Sequence, residues 1–489
     1  MKRSDRLQQL RTVAARMQPD AAGRASEFAQ VRDHAERFLE QLTERNVVGA
    51  HTDRAQALAA MALSAQPSNI ADALTIIERF VDNSGYHLGS SRFFGYIPSG
   101  GLYESALGDY LADVSNRYAG VGLAAPGAAR MEQTLLRWLA DVVGYPKTAE
   151  GDLTSGGSMA TLSALVTARE ASKLDTRRIP QSVVYVTAQT HHTLHKALQI
   201  AGLAECVVRI LEVDERQRLE PQSLAKMIDR DKAQGLKPWL VVATAGTTDV
   251  GAVDPLDAIA DIAQEQGLWL HVDAAYGGAF VLCNEGKKRL KGINRADSLI
   301  LDPHKGFFLP CGTGVVLVRD GRRLFEAYRA RGVYMQDVAH DDERSACDYS
   351  PELTRPFRAM RFWLPLKVHG TEPFAAALEE KLLLAQYFYE QIGSIASLRV
   401  GPTPDLSIVN FRFTPTGIDA DVAGQALIEA ITADGRVFIS STRVNGQFVI
   451  RFAILNFMSH LEEVDLALTV LREQVETVSA ELRASSAKD

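Results

Sequence analysis

The chain has little cysteine. Cys206, Cys283, Cys311 and Cys347 are its only four, scattered and without a CxxC pair. That argues against a disulfide scaffold and a cysteine zinc site, and fits reduced thiols in the cytoplasm. No run of about 18 apolar residues occurs, so no helix is expected to span a membrane. The basic start, MKRSDRLQQLRTVAARMQPD, has no apolar h-region and is not read as a signal peptide. Positive charge is not in surplus. The 53 Lys and Arg against 60 Asp and Glu leave a net charge of −7, which argues against nucleic acid or an anionic membrane as a partner. Internal repeats, low-complexity tracts and metal-ligand spacings are not visible. What remains is the composition of an ordinary globular enzyme spread over 489 residues, too many for one core.

The spacing of apolar positions divides the chain. Residues 1–85 carry helical periodicity, with Phe38, Leu39 and Leu42 and later Ala73, Leu74 and Ile77 on one side, and a break near Pro67-Ser68-Asn69. This helical arm has little core of its own and is expected to pack on the main domain or on a second subunit. In residues 86–374, strands and helices alternate from about 180 to 320, the pattern of a mostly parallel sheet with crossover helices. Residues 375–489 read as a small α+β domain: a helix over Phe374–Gln391, strands at 406–413, 437–440 and 447–455, and a final helix.

The chemistry concentrates between Leu268 and Gly312, in LWLHVDAAYGG and SLILDPHKGFFLPCG. Leu268–Val272 and Ser298–Leu301 read as buried strands. The first hands over to Asp273 and the second to Asp302, with Lys305 just beyond. Ligands of α/β sheets sit at the carboxyl ends of strands, so these charges point at one crevice. An isolated Asp or Lys there would read as a surface ion pair. A lysine in a crevice can also form a Schiff base with a carbonyl, and an aspartate can hold the pyridinium nitrogen of pyridoxal phosphate (PLP). Upstream, TSGGS opens a helix near Ser158, where free N–H groups, small residues and hydroxyls suit an anion. The stretch SGYHLGSSRFFGYIPSGG, dense in glycine and aromatics, suits a pocket wall as well as a core-anchored loop.

HVDAAYGG followed by DPHKG resembles the group II, fold-type I PLP-dependent decarboxylases, the aromatic-L-amino-acid decarboxylase family. The order also matches: a phosphate turn, a histidine after a strand, a GTT turn, the aspartate, then His-Lys. The resemblance covers roughly residues 80–460. It implies the PLP-dependent transferase fold of type I: a large α/β domain with a mostly parallel central sheet, the helical arm and the small C-terminal domain. It also implies decarboxylation of an L-amino acid, with an aromatic one expected, to the amine and carbon dioxide. Lys305 matches the lysine that carries the cofactor, His304 its neighbour, and Asp273 the pyridinium partner. A carboxylate beside that nitrogen favours its charged form, about 1.4 kcal/mol per pKa unit. Ala275 is small enough to lie flat against the ring. His191 matches the histidine on the other face, Thr248 the threonine near the ring, and Gly157 and Ser158 the phosphate turn. Tyr96, Ile97 and Pro98 match a substrate-pocket segment. The family site lies at the interface of a homodimer.

There are departures. The family often has Asn where this chain has Asp302, and a carboxylate near a phosphate is unfavourable unless it turns away or meets a cation. Ile97 stands where the family has a second pocket aromatic. Arg355, Arg358 and Arg361 form a cation cluster that could bind an acidic substrate group, though most such arginines make structural ion pairs. The segment 332–351 is polar, without periodicity, and reads as a mobile lid carrying an Asp348-Tyr349 pair. The family tyrosine there protonates the carbanionic carbon, while related aldehyde synthases have phenylalanine. Tyr334 is a rival for that role. Three functions therefore stand side by side. One is an amino-acid decarboxylase. The second is another PLP enzyme, such as a decarboxylating aldehyde synthase, lyase or aminotransferase. The third is a degenerate, non-catalytic family member, against which Asp273, His304 and Lys305 argue.

Overall fold

β-branched runs alternating with amphipathic helices build, in the computed structural model, a seven-stranded sheet. The structure describes residues 2–49, 53–61, 63, 66–329 and 344–486. The chain falls into two units, Met1–Ser90 and Ser91–Asp489. The first holds helices Arg3–Ala14, Ala21–Leu42, Asp53–Ala59 and Ile70–Ile77. Asp20 caps the second by accepting from Gly23 N at 2.7 Å. Asn69 caps the fourth by accepting from Asp72 N at 2.8 Å, just after the break expected at Pro67. Helix Arg3–Ala14 buries no residue, and Leu7, Leu10 and Val13 are exposed along it.

The second unit contains strands β1 (Phe93–Phe94), β2 (Glu150–Thr154), β3 (Ser182–Thr187), β4 (Val207–Leu211), β5 (Lys237–Thr244), β6 (Trp269–Asp273), β7 (Ser298–Leu301), β8 (Gly314–Val318), β9 (Leu398–Val400), β10 (Ile408–Phe413), β11 (Phe438–Val444) and β12 (Gln447–Ala453). The large sheet runs β2-β8-β7-β6-β5-β3-β4. From β4 to β7 neighbours are parallel, and β8 is antiparallel to both β7 and β2. This is the expected α/β architecture. Strands β3, β7 and β8 are buried along their whole length, as near-continuous apolar runs require when helices cover both faces. Helix Gly157–Ala171 lays Ala160 and Ala164 on Ile300, Val316 and Val318, and these small side chains let it sit close to the sheet.

The second sheet runs β1-β11-β12-β10-β9. Its edge strand β1 is parallel to β11, with Phe93 opposite Phe438. Phe94 stacks on Phe452 at 4.3 Å between centroids, and Phe452 on Phe388 at 3.8 Å. The segment before residue 95, expected in the large domain, thus contributes to the C-terminal sheet.

Among the elements that escaped the sequence, two bear on the site's surroundings. Strand β2, EGDLT, has one strongly apolar residue and no alternation, yet it pairs with β8 from Glu150 to Thr154. Helix Ala359–His369 contains Pro365 and begins within the arginine cluster, with Arg361 in its first turn. That cluster makes structural ion pairs. Arg355, fully buried, bonds Asp152 Oδ1 at 2.5 Å, lies 3.4 Å from Glu132 Oε1 and donates to Leu153 O. Arg358 holds Glu352, and Arg361 holds both oxygens of Asp109. Burial keeps the Asp152 carboxyl above the usual carboxylate range against the pull of Arg355. A carboxyl raised in the folded chain stabilises it less as pH rises through that range. Removing the guanidinium leaves two buried carboxylates without a cation. Arg355→Met is therefore expected to cost about 3–5 kcal/mol at pH 8 in urea unfolding, and clearly less at pH 5.5. Equal losses at both values would contradict the shared-cation reading.

Candidate active site

The carboxyl ends of β5, β6 and β7 face a cavity of about 300 Å³. The ladder brings Thr244 opposite Asp273 and Asp273 opposite Ile300. Beyond β7, Asp302 N donates to Ala275 O at 3.1 Å, so the two strand ends stay in step. Pro303 then starts the one-turn helix Pro303–Gly306, and its fixed φ suits that position. This turn aims Lys305 into the cavity, with Nζ 3.0 Å from Asp302 Oδ2.

Asp273 Oδ1 accepts from Ala275 N at 3.0 Å, which fixes the carboxylate at the cavity floor beside the small Ala275. His304 Nδ1 lies 2.5 Å from Thr313 O. A carbonyl only accepts, so Nδ1 carries the proton. His191 also lines the cavity, with Nδ1 2.8 Å from Thr193 Oγ1 and its ring 4.2 Å from that of His192. Burial pushes His191 below the usual imidazole range, with Asp273 opposing, so its ring is neutral near pH 7. Thr248 lines the cavity, and its carbonyl accepts from Arg451 Nε at 2.8 Å.

Gly156, Gly157 and Ser158 form the remaining wall, at the N-terminus of helix Gly157–Ala171. Gly156 has φ +146°, open to glycine and strained for other residues. A Cβ on Gly157 would come within 2.8 Å of Asp302 Oδ2. First-turn N–H groups have no intrahelical acceptor, so this glycine cradle presents donors to an anion. One cavity therefore combines an amine, a carboxylate beside a small residue, a neutral aromatic ring and an anion cradle. PLP has a matching aldehyde, ring nitrogen, flat face and phosphate. The residues present fit it.

The tyrosine of HVDAAY has a structural task. Tyr276 Oη lies 2.7 Å from Ser407 Oγ and accepts from Ser407 N at 2.9 Å, and burial pushes its phenol up to about 12.

Other expected residues stand outside this cavity. Tyr96 is exposed at φ +51°, held by its backbone: N donates to Ser440 Oγ at 3.3 Å and O accepts from Arg451 Nη1 at 2.7 Å. Ile97 packs on the large core, and Pro98 is buried. Tyr349 is half-buried against Phe325, with the Arg344 guanidinium 4.1 Å above its ring. Tyr334 and most of the expected lid lie outside the described residues.

Sequence reading missed Arg451, a buried cation on β12 whose Nη2 has no hydrogen-bond partner among the described residues. Its signal was a single charge inside the apolar run QFVIRFAIL.

Comparison with known proteins agrees with this geometry. Residues 53–414 match the family described as the pyridoxal-dependent decarboxylase conserved domain. Aromatic-L-amino-acid decarboxylase of Bacillus atrophaeus is 34% identical over 412 residues, 83% of this chain and 85% of that protein. Tyrosine decarboxylase 2 of Arabidopsis thaliana is 31% identical over 404 residues, 80% of this chain and 74% of that protein. The crystal structure of Oryza sativa TDC with PLP and tryptamine is similar at a TM-score of 0.89 and 25% identity, over 94% of this chain and 99% of that one.

Proposed function

We propose that this chain, which belongs to the pyridoxal-dependent decarboxylase family and is a PLP-dependent carboxy-lyase, converts an aromatic L-amino acid to its amine and carbon dioxide. The convergence of Lys305, Asp273, His191 and the glycine cradle on one cavity carries the reading. The aromatic substrate rests on relatives named for aromatic amino acids and for tyrosine. When bound, the cofactor supplies an electron sink for the pair left on the α-carbon.

The chain's residues hold and orient that group. Lys305 offers the amine that fixes the aldehyde. Gly157 and Ser158 bind the phosphate, with His304 beside them. Asp273 keeps the ring nitrogen protonated, while Ala275 and His191 hold the ring between them, and Thr248 flanks it. Borohydride reduction of the PLP-loaded protein is expected to leave a pyridoxyl mark on Lys305, and Lys305→Ala to abolish turnover without unfolding. A mark on another lysine would overturn the assignment. Asp273→Asn should lower kcat by about 100-fold, about 2.7 kcal/mol of transition-state stabilisation, with little change in KM. Near-normal kcat would show that the ring nitrogen does not depend on Asp273.

Four free thiols support a reducing, cytoplasmic location, and no helix among the described residues is long and apolar enough to cross a membrane. The exposed apolar residues of helix Arg3–Ala14 support a homodimer whose arms pack on a second copy. Tyr349 lies away from its own cavity, and burial pushes its phenol up, so it keeps a proton to give. It serves the partner's site in this reading, together with Tyr96, Ile97 and Pro98 at the substrate. Tyr349→Phe alone should turn product from amine towards aldehyde, ammonia and peroxide. Mixed dimers of Lys305→Ala and Tyr349→Phe chains should regain amine formation at one site of two. If the mixture yields no more amine than Tyr349→Phe alone, Tyr349 does not act across subunits.

A further inference from the structure

One buried charge has no task in that scheme. Asp302 is 4% exposed. Its Oδ2 lies 3.0 Å from Lys305 Nζ and 3.8 Å from His304 Nε2, and its Oδ1 is buried without a hydrogen-bond partner among the described residues. It lines the same cavity as Gly157 and packs directly against it. The carboxylate thus stands beside the N–H donors that suit a phosphate.

Two anions in contact repel unless one is neutralised. In the structure the Lys305 ammonium balances Asp302, but the proposed function commits that amine to the cofactor. Among the described residues, the other titratable groups near the cavity do not replace it in contact with Asp302. His304 uses its Nδ1 proton on Thr313 O, and its Nε2 stands 3.8 Å from Asp302 Oδ2, beyond hydrogen-bond reach. His191, with His192 behind it, is disfavoured as a cation by burial. Asp273, at the end of β6, adds a second negative charge. Arg361, behind Gly312, is held by both oxygens of Asp109. The first turn of helix Gly157–Ala171 carries no charged side chain.

We infer that Asp302 takes up one proton from solvent when the cofactor's phosphate binds, turning an acceptor beside the phosphate into a donor. The inference rests on the proposed function, since it takes Lys305 as the amine that carries the cofactor. Asparagine at this position would offer a donor without the proton, so PLP affinity should be linked to pH through Asp302 in this chain and lose that link on substitution.

The dissociation constant of PLP is measured from pH 6.5 to 8.5 for the wild type and Asp302→Asn, with Asp302→Ser as a second neutral variant and pyridoxal as a phosphate-free probe. The ratio of wild-type to variant constant should rise by about tenfold per pH unit for PLP and stay flat for pyridoxal. Calorimetry in buffers of different ionisation enthalpy should show about one more proton taken up by the wild type than by either variant. A flat ratio for PLP overturns the inference, and an equal slope with pyridoxal overturns the phosphate as its cause. Borohydride mapping separates the two readings. A pyridoxyl mark on Lys305 with a flat ratio removes only the role of Asp302, whereas a mark elsewhere removes the proposed function beneath it.

Discussion

The register of β6 against β7 is the constraint on which the site depends. Asp273 and Lys305 come from different strand ends, so their separation depends on that register and on the Pro303–Gly306 turn that follows β7. Pairing continues past the strands: Ala274 N donates to Ile300 O at 3.0 Å and Asp302 N to Ala275 O at 3.1 Å. A slip of one residue would turn every side chain to the opposite face. Both faces resist it. On one, Val272, Leu299 and Leu301 sit in the main apolar core. On the other, Ser298 Oγ accepts from Trp269 Nε1 at 2.8 Å and lies 2.9 Å from His271 Nδ1. Burial pushes His271 down to about 4, so the ring is neutral at pH 7 and this buried contact is one of hydrogen-bonding groups without charge. A slip would break this buried polar contact as well as the apolar one.

The outer edge of the sheet obeys a different constraint. Strand β2 pairs only with β8, leaving its other edge with carbonyls that would accept another chain. Arginines cover them. Arg344 donates to Gly151 O at 2.6 Å, and Arg355 and Arg358 both donate to Leu153 O. The same segment carries Tyr349, whose ring is held under Arg344. Covering the edge therefore fixes this tyrosine beside β2, outside the lining of the cavity that holds Asp273.

What could be read from the sequence follows the same division. Residues placed by position along one strand or turn were legible in location: Asp273, Asp302 and Lys305 at strand ends, and Gly157 and Ser158 at a helix start. The alternating pattern gave the parallel sheet because buried strands and crossover helices differ in period. Strand β2 was hidden because its stability comes from β8 on one side and arginines on the other, neither of which leaves an apolar alternation in EGDLT. The placement of Tyr96 and Tyr349 relative to the cavity is set by contacts more than 190 residues away in sequence, with Arg451 and with Glu150 and Gly151 through Arg344. No local period encodes them.

Arg451 shows how such distant contacts tie the parts together. Its guanidinium bonds Thr248 O, Tyr96 O and Ser440 Oγ, which come from the turn after β5, the loop after β1 and strand β11. All three acceptors are neutral. Burial pushes its pKa down to about 10, opposed by Tyr276 and Asp249, so it stays charged at pH 7. A buried cation without a carboxylate in contact is costly, and leaving its acceptors unmet would be costly too. Each bond to a neutral carbonyl therefore offsets part of its desolvation. The three acceptors are consequently held to one rigid planar fork, and the distance between Thr248 and Tyr96 is set by its geometry rather than by either loop. Thr248 in the cavity lining and the Tyr96 loop then shift together when β12 shifts. Strand β12 belongs to the second sheet, so a C-terminal element that contributes no lining to the cavity fixes the relation between the cavity-lining Thr248 and the Tyr96 loop.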